Sequence, residues 1–273
     1  MKPVDKEQVD KLLEEFSGLE EVEAIALGGS RAGEHFDEKS DYDIYVYQTS
    51  PIEEKVRRNI LGKYCDYMEI GNRYWECEDD CTLKNGVDIE VLYRNLDDLK
   101  ESIANVVEEY QASNGYTTCL WDNLLKCKIL YDEYGRLERM KRRFTVPYPD
   151  KLRRNIVTRN WNLLLETMPA YTHQIEKAIL RGDKVSILHR TTAFLESYFD
   201  ILFALNRLTH PGEKRLMEFC MKNCSELPAN FEENLNRLFD DLYGHTERVN
   251  EDLQTIALEL KKILKLRNSL IFT

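Results

Sequence analysis

Apolar positions at the start of the chain follow a helical period. Val9, Leu12, Leu13 and Phe16 recur at three- and four-residue steps until Ser17-Gly18 breaks the pattern, which predicts a helix from Asp5 to about Phe16. Glu23 to Leu27 is short and apolar and stops at Gly28-Gly29-Ser30, the composition of a strand whose end leaves backbone amides open. Tyr42 to Tyr47 reads Tyr-Asp-Ile-Tyr-Val-Tyr, rich in β-formers and too short for a helix. A similar run, Val87 to Tyr93, follows the turn signal Asn85-Gly86. Between these strands a helix is expected near Pro51 to Lys63 and a strand near Tyr67 to Ile70, and Cys127 to Tyr131 is a further strand candidate.

The pattern changes at Pro147-Tyr148-Pro149, where the domain boundary is expected: residues 1–148 form an α/β domain with a mixed sheet, and residues 149–273 an all-α helical bundle. Phe194, Tyr198, Ile201, Leu202 and Leu205 make one apolar stripe, and Leu253, Ile256, Leu260 and Leu264 make another near the carboxyl end. No fixed-period repeat and no low-complexity tract interrupts this division.

A chain of 273 residues, 42% hydrophobic and 32% charged, is long enough for two cores and too apolar for disorder. Its apolar stretches are too short to span a bilayer, so no membrane association is expected. Met1 to Asp10 is charged and lacks the apolar core of an export signal; with seven cysteines, an odd number, this predicts reduced thiols and a cytoplasmic location. The net charge of -11 argues against a protein that holds duplex nucleic acid by neutralising phosphates. That charge is uneven: residues 151–273 carry 18 Lys and Arg against 16 Asp and Glu, whereas residues 1–150 carry 20 against 33. A cation is therefore expected to bind in the first half.

The chemistry concentrates in Gly28-Gly29-Ser30-Arg31-Ala32-Gly33 and, after a polar loop, Ser40-Asp41-Tyr42-Asp43-Ile44. On a strand Asp41 and Asp43 point the same way and share one face, where they suit a hard cation that keeps water or phosphate as its other ligands. The glycine turn lets phosphates approach the backbone, and the amides and hydroxyl of Ser30 supply hydrogen bonds. Phosphoryl or nucleotidyl transfer at a two-metal site, which such a turn and acid pair suit, wants a third carboxylate. In Gly86-Val87-Asp88-Ile89-Glu90-Val91-Leu92 both Asp88 and Glu90 project from one strand face, and either suits the second metal or the acceptor's proton.

Gly-Gly-Ser, a loop, Asp-x-Asp on a strand and a later acid among apolar neighbours resemble the signature of the DNA polymerase β nucleotidyltransferase superfamily. The likeness is strongest to bacterial antibiotic nucleotidyltransferases of the kanamycin and lincosamide type. It implies a minimal nucleotidyltransferase sheet domain followed by a helical bundle that closes the cleft and carries acceptor contacts. It also implies two Mg2+ ions on Asp41, Asp43 and Glu90, with Asp88 the alternative to Glu90, and a nucleoside triphosphate, ATP, held by Gly29 and Ser30. The reaction implied is transfer of AMP to a hydroxyl of a small-molecule acceptor, an antibiotic in those relatives. Glu90 is preferred because the superfamily's third acid often precedes an apolar run like Val91-Leu92-Tyr93, although many members have Asp there. Two rivals share the fold: an AMP transferase acting on a protein side chain, and a non-catalytic, antitoxin-like interaction protein.

Other residues carry two readings each. Arg31 either neutralises the triphosphate or is solvated; Lys214, after the Pro211-Gly212 turn, either binds phosphate or solvates that turn. His35 either touches a nucleotide or sits on a surface loop, and His189 either faces the cleft or does not. Cys77-x-x-x-Cys81 and Cys220-x-x-x-Cys224 are spaced too widely for structural zinc and lack a matching histidine, so they read as ordinary thiols. The sequence lacks Gly-x-x-x-x-Gly-Lys-Ser/Thr, Gly-x-Gly-x-x-Gly and Gly-x-Ser-x-Gly, which disfavours P-loop, dinucleotide and serine-hydrolase chemistry.

Overall fold

The computed structural model describes residues 3–33 and 40–266. The chain divides into two compact units, one of residues 1–103 and 123–145, the other of residues 104–122 and 146–273. Residues 104–122, placed by the sequence reading in the first domain, thus pack with the second unit.

In the first unit, α1 (Pro3–Ser17) leads into β1 (Val22–Leu27), the one-turn helix α2 (Gly29–Ala32) and β2 (Tyr42–Gln48). Then come α3 (Glu54–Leu61), β3 (Cys65–Asn72), β4 (Glu78–Leu83) and β5 (Asp88–Arg94). α4 (Leu96–Val107) and α5 (Cys119–Lys126) carry the chain across to the second unit and back, and β6 (Lys128–Asp132) and α6 (Arg136–Phe144) complete the first. The strands form one mixed sheet in the order β3-β4-β5-β2-β1-β6. Only β2 and β5 run parallel; the other four pairings are antiparallel.

The two faces of this sheet follow from side-chain alternation. Tyr42, Ile44 and Val46 of β2 and Ile89, Val91 and Tyr93 of β5 face a core shared with Val9, Leu12 and Phe16 of α1 and Ile60 and Leu61 of α3. The intervening residues, Asp43 and Glu90 among them, therefore face the other way. β4 has no counterpart in the sequence reading, because its first three residues are Glu78-Asp79-Asp80. Asp79 points into the core and is fully buried. It is accommodated by Arg57, by the Gly71 amide at 2.8 Å and by the Tyr93 hydroxyl at 2.8 Å.

The second unit is helical: α7 (Asp150–Trp161) with a π-helical turn at Asn162–Glu166, α8 (Tyr171–Leu180), α9 (Lys184–Leu205), α10 (Leu216–Asn223), α11 (Phe231–Gly244) and α12 (Val249–Leu266). Every residue of the two expected stripes, Phe194 to Leu205 on α9 and Leu253 to Leu264 on α12, is buried. Asp183 caps α9 by accepting from the Ser186 amide at 3.0 Å. All seven cysteines are free thiols, and among the described residues no helix is long and apolar enough to cross a membrane.

A carboxylate row beside a glycine turn

The parallel pairing of β2 with β5 puts Asp43 directly beside Glu90. Paired residues share a face, and neighbouring strands lie about 4.8 Å apart, so the two carboxyl groups project side by side. The row continues outward, because Asp80 is the partner of Glu90 across β4 and Glu69 the partner of Asp80 across β3. Asp43, Glu90 and Asp80 are half-exposed. Asn72 bridges the outer pair, its amide donating to Asp80 and to Glu69. Glu78, two residues from Asp80 on the same face, has its carboxyl pushed up by burial and then by the charges of Asp80 and Glu76.

Asp88 stands apart from this row. It opens β5 two residues before Glu90, is exposed, and accepts a hydrogen bond from the Thr82 hydroxyl at 2.8 Å. Asp41 precedes the first residue of β2 and is half-exposed. Asp80 was not singled out from sequence. Its signal is the run Glu78-Asp80-Thr82, which is polar at every second position, but the inward Asp79 breaks that alternation.

The glycine turn is shaped by the same strand face. A β-carbon on Gly28 would fall 2.2 Å from the Tyr45 ring, and one on Gly29 would fall 1.6 Å from Asp43 Oδ2. Gly29 also has φ of +54°, where a side chain is strained. The two glycines are therefore required by Tyr45 and Asp43, which lie under the turn. The Gly28 amide donates to the Asp43 carbonyl at 2.8 Å, locking the turn to β2. Tyr45 is fixed in turn by the Asn123 amide at 2.7 Å and by the Arg94 guanidinium 4.3 Å above its ring. Gly29 and Ser30 themselves are exposed.

Arg31 is not solvated. It is buried, its guanidinium lies 3.9 Å from the Tyr42 ring centroid, and its Nε donates to the carbonyls of Ser40 at 2.7 Å and Asp41 at 3.1 Å. That arrangement fastens the segment carrying Asp41 to the helical turn after the glycines. Lys128 adds a second tie, donating to the Arg31 carbonyl at 3.2 Å. Lys214, in the second unit, is exposed two residues ahead of α10, and His189 is exposed on α9. His35 lies outside the described residues.

The donor set suits a hard divalent cation: carboxylate oxygens, partly open to water, beside a turn whose missing side chains leave room for the Asp43 carboxylate. Among the described residues no three acidic, histidine or cysteine groups already converge closely enough to hold an ion.

Residues 118–216, less than half of the chain, match a family described as "Domain of unknown function (DUF4037)". No curated protein matches. Three solved structures are among those to which the chain is similar. One is a nucleotidyltransferase-like protein from Exiguobacterium sibiricum 255-15, at 10% identity and a TM-score of 0.43, covering 96% of this chain and 75% of that one. A second is an aminoglycoside 6-adenyltransferase from Bacillus subtilis, at 10% identity and 0.30, covering 96% and 91%. A third is a CCA-adding enzyme in complex with CTP, at 13% identity and 0.33, covering 98% and 84%. With TM-scores this low, function is left to the residues of this chain.

Proposed function

We propose that this chain is a metal-dependent nucleotidyltransferase that moves a nucleoside monophosphate, AMP from ATP, onto a hydroxyl of a small-molecule acceptor. The observation that carries the reading is the register of Asp43 with Glu90, next to a glycine turn held open by Asp43 itself. Asp41, Asp43 and Glu90 are the residues that would hold two magnesium ions. Such ions, when bound, neutralise the triphosphate and stabilise the attacking and leaving oxygens.

The chain's own groups do the rest. Gly29 and Ser30, exposed at the start of α2, offer an amide and a hydroxyl to the β- and γ-phosphates. Arg31, assigned to the triphosphate, also acts as a positioning residue: its bonds to the Ser40 and Asp41 carbonyls fix the aspartate segment. Lys214 is assigned a point-charge contact to the triphosphate. In the transfer, the acceptor oxygen forms a bond to the α-phosphorus, the bond from that phosphorus to the pyrophosphate oxygen breaks, and pyrophosphate leaves. The hydroxyl proton goes to a carboxylate of the row, with Glu90 the assigned base or metal ligand. The acceptor class follows the antibiotic enzymes that the motifs resemble.

Titration calorimetry with ATP, with and without magnesium, tests this reading. Binding is expected to need the cation and to fall at least about tenfold, roughly 1.4 kcal/mol, in both Asp41→Asn and Asp43→Asn. Unchanged magnesium-dependent affinity in both variants would overturn the metal assignment.

A further inference from the structure

A concentration of positive charge on the sheet unit lies away from the carboxylate row. On α6, Arg136, Arg139, Met140 and Arg143 fall at i, i+3, i+4 and i+7, one stripe of the helix. Together with Leu96, Asp97 and Lys100 from the first turns of α4 they line a cavity of about 230 Å³. Four cations thus face a single carboxylate, in the half of the chain where acids outnumber bases by 33 to 20.

Asp97 does not balance them. It is engaged by Arg136 Nη2 at 2.9 Å, and Arg136 also pairs with the buried Glu23. Lys100 is exposed and has no ion pair among the described residues. Arg139 is exposed and, among the described residues, bonds from Nη1 to the Tyr134 carbonyl at 2.7 Å alone, which leaves most of its five donors open. Like charges on one helix stripe repel, and an anion between them turns that repulsion into attraction.

Sheet register separates this cavity from the carboxylates. Glu90 and Asp43 lie near the start of their strands, whereas α4 begins two residues beyond Arg94, the partner of Tyr47. Asp132, which precedes α6, pairs with Ala24 at the start of β1, the end away from the glycine turn. Tyr47 lies four residue steps beyond Asp43, about 13 Å along the sheet.

We propose that this cavity is a binding site for clustered phosphate groups, independent of the carboxylate row. Arginine forks match phosphate oxygens in pairs, and Lys100 adds a point charge. The volume lies below the roughly 300 Å³ of a drug-sized pocket, which suits pyrophosphate or the phosphate end of a nucleotide. Both sources present the same chemistry to the arginines.

The test titrates pyrophosphate and, separately, ADP into the full chain in EDTA at low salt, so that no metal-dependent site contributes. One-to-one binding is expected, weakened at least tenfold in Arg139→Ala/Arg143→Ala, two exposed positions whose loss should leave the melting temperature within about 2 °C. Arg58→Ala/Arg142→Ala removes the same charge from exposed positions outside the cavity and is expected to bind as wild type. Equal affinity for both ligands assigns the cavity to phosphate alone, and tighter ADP binding assigns it to a nucleotide's phosphate end. No saturable binding of either ligand, unchanged affinity in Arg139→Ala/Arg143→Ala, or an equal loss in the control pair would overturn the proposal.

Discussion

Glu90 and Asp88 are two residues apart on one face of one strand, yet their surroundings differ. Glu90 is in register with Asp43 on one side and Asp80 on the other, while Asp88 is tied to the Thr82 hydroxyl at the strand's exposed start. Single-turnover transfer is therefore expected to fall about 100-fold or more in Glu90→Gln and within about threefold in Asp88→Asn, with both variants folded. The opposite order of losses would move the third-acid role to Asp88. Sequence alternation identified the face both acids share, but only strand pairing says which one has Asp43 as its neighbour. Arg31 makes the same point. Its position after the turn invited a solvent or phosphate role, and its direction was decided by Tyr42 and two carbonyls close in space.

Among the elements, α9 carries a buried carboxylate that its apolar stripe concealed. Asp200 accepts from the Thr117 amide at 3.1 Å, the Thr117 hydroxyl at 2.7 Å and the Asn160 amide at 3.2 Å. Burial pushes its carboxyl from an ordinary 3.8 up to about 7, although those bonds favour the ionised form. His210 is also fully buried; Nδ1 accepts from the Gly212 amide at 3.2 Å, so Nε2 carries the proton and has no partner among the described residues. Burial lowers it from 6.5 to about 4. The two act oppositely on stability. Between pH 3.8 and about 7 the folded state holds a proton on Asp200 that the unfolded chain has lost, so stability falls as pH rises. Between about pH 4 and 6.5 the unfolded chain holds a proton on His210 that the folded state lacks, so stability rises. In the wild type these slopes largely cancel over that window. Removing one reveals the other: from pH 4.5 to 6.5, Asp200→Asn should gain on the order of 2 kcal/mol relative to wild type, and His210→Gln should lose a similar amount. Urea unfolding followed through the buried Trp121 and Trp161 reads this directly, and pH profiles parallel to wild type in both variants would refute it.

For the whole molecule, the uneven charge matches the arrangement of chemistry. The acid-rich half supplies the sheet and its carboxylate row, while the near-neutral half supplies the helices and the exposed Lys214. If Lys214 contacts the triphosphate, Lys214→Ala should weaken ATP binding at least about tenfold, roughly 1.4 kcal/mol, with little change in melting temperature, because the side chain is exposed and buries no core. Calorimetric affinity equal to wild type would leave the Pro211-Gly212 turn a structural feature only.

The sequence by itself determined the strands and helices with a clean period, the glycine turn, the Asp-x-Asp pair and the two helical stripes. Each of these is local, set by alternation of two or by a helical repeat within a few residues. Tertiary structure decided what depends on partners distant in the chain. β4 exists as a strand because β3 and β5 pair with it and because Arg57, Gly71 and Tyr93 accommodate Asp79, while its three consecutive acids read as loop. The return of residues 104–122 to the helical unit rests on contacts such as Thr117 to Asp200, 83 residues apart, which no local pattern announces. The row from Asp43 through Glu90 and Asp80 to Glu69 has the same origin: periodicity says which face a residue takes, and sheet order with register says which residues stand beside it.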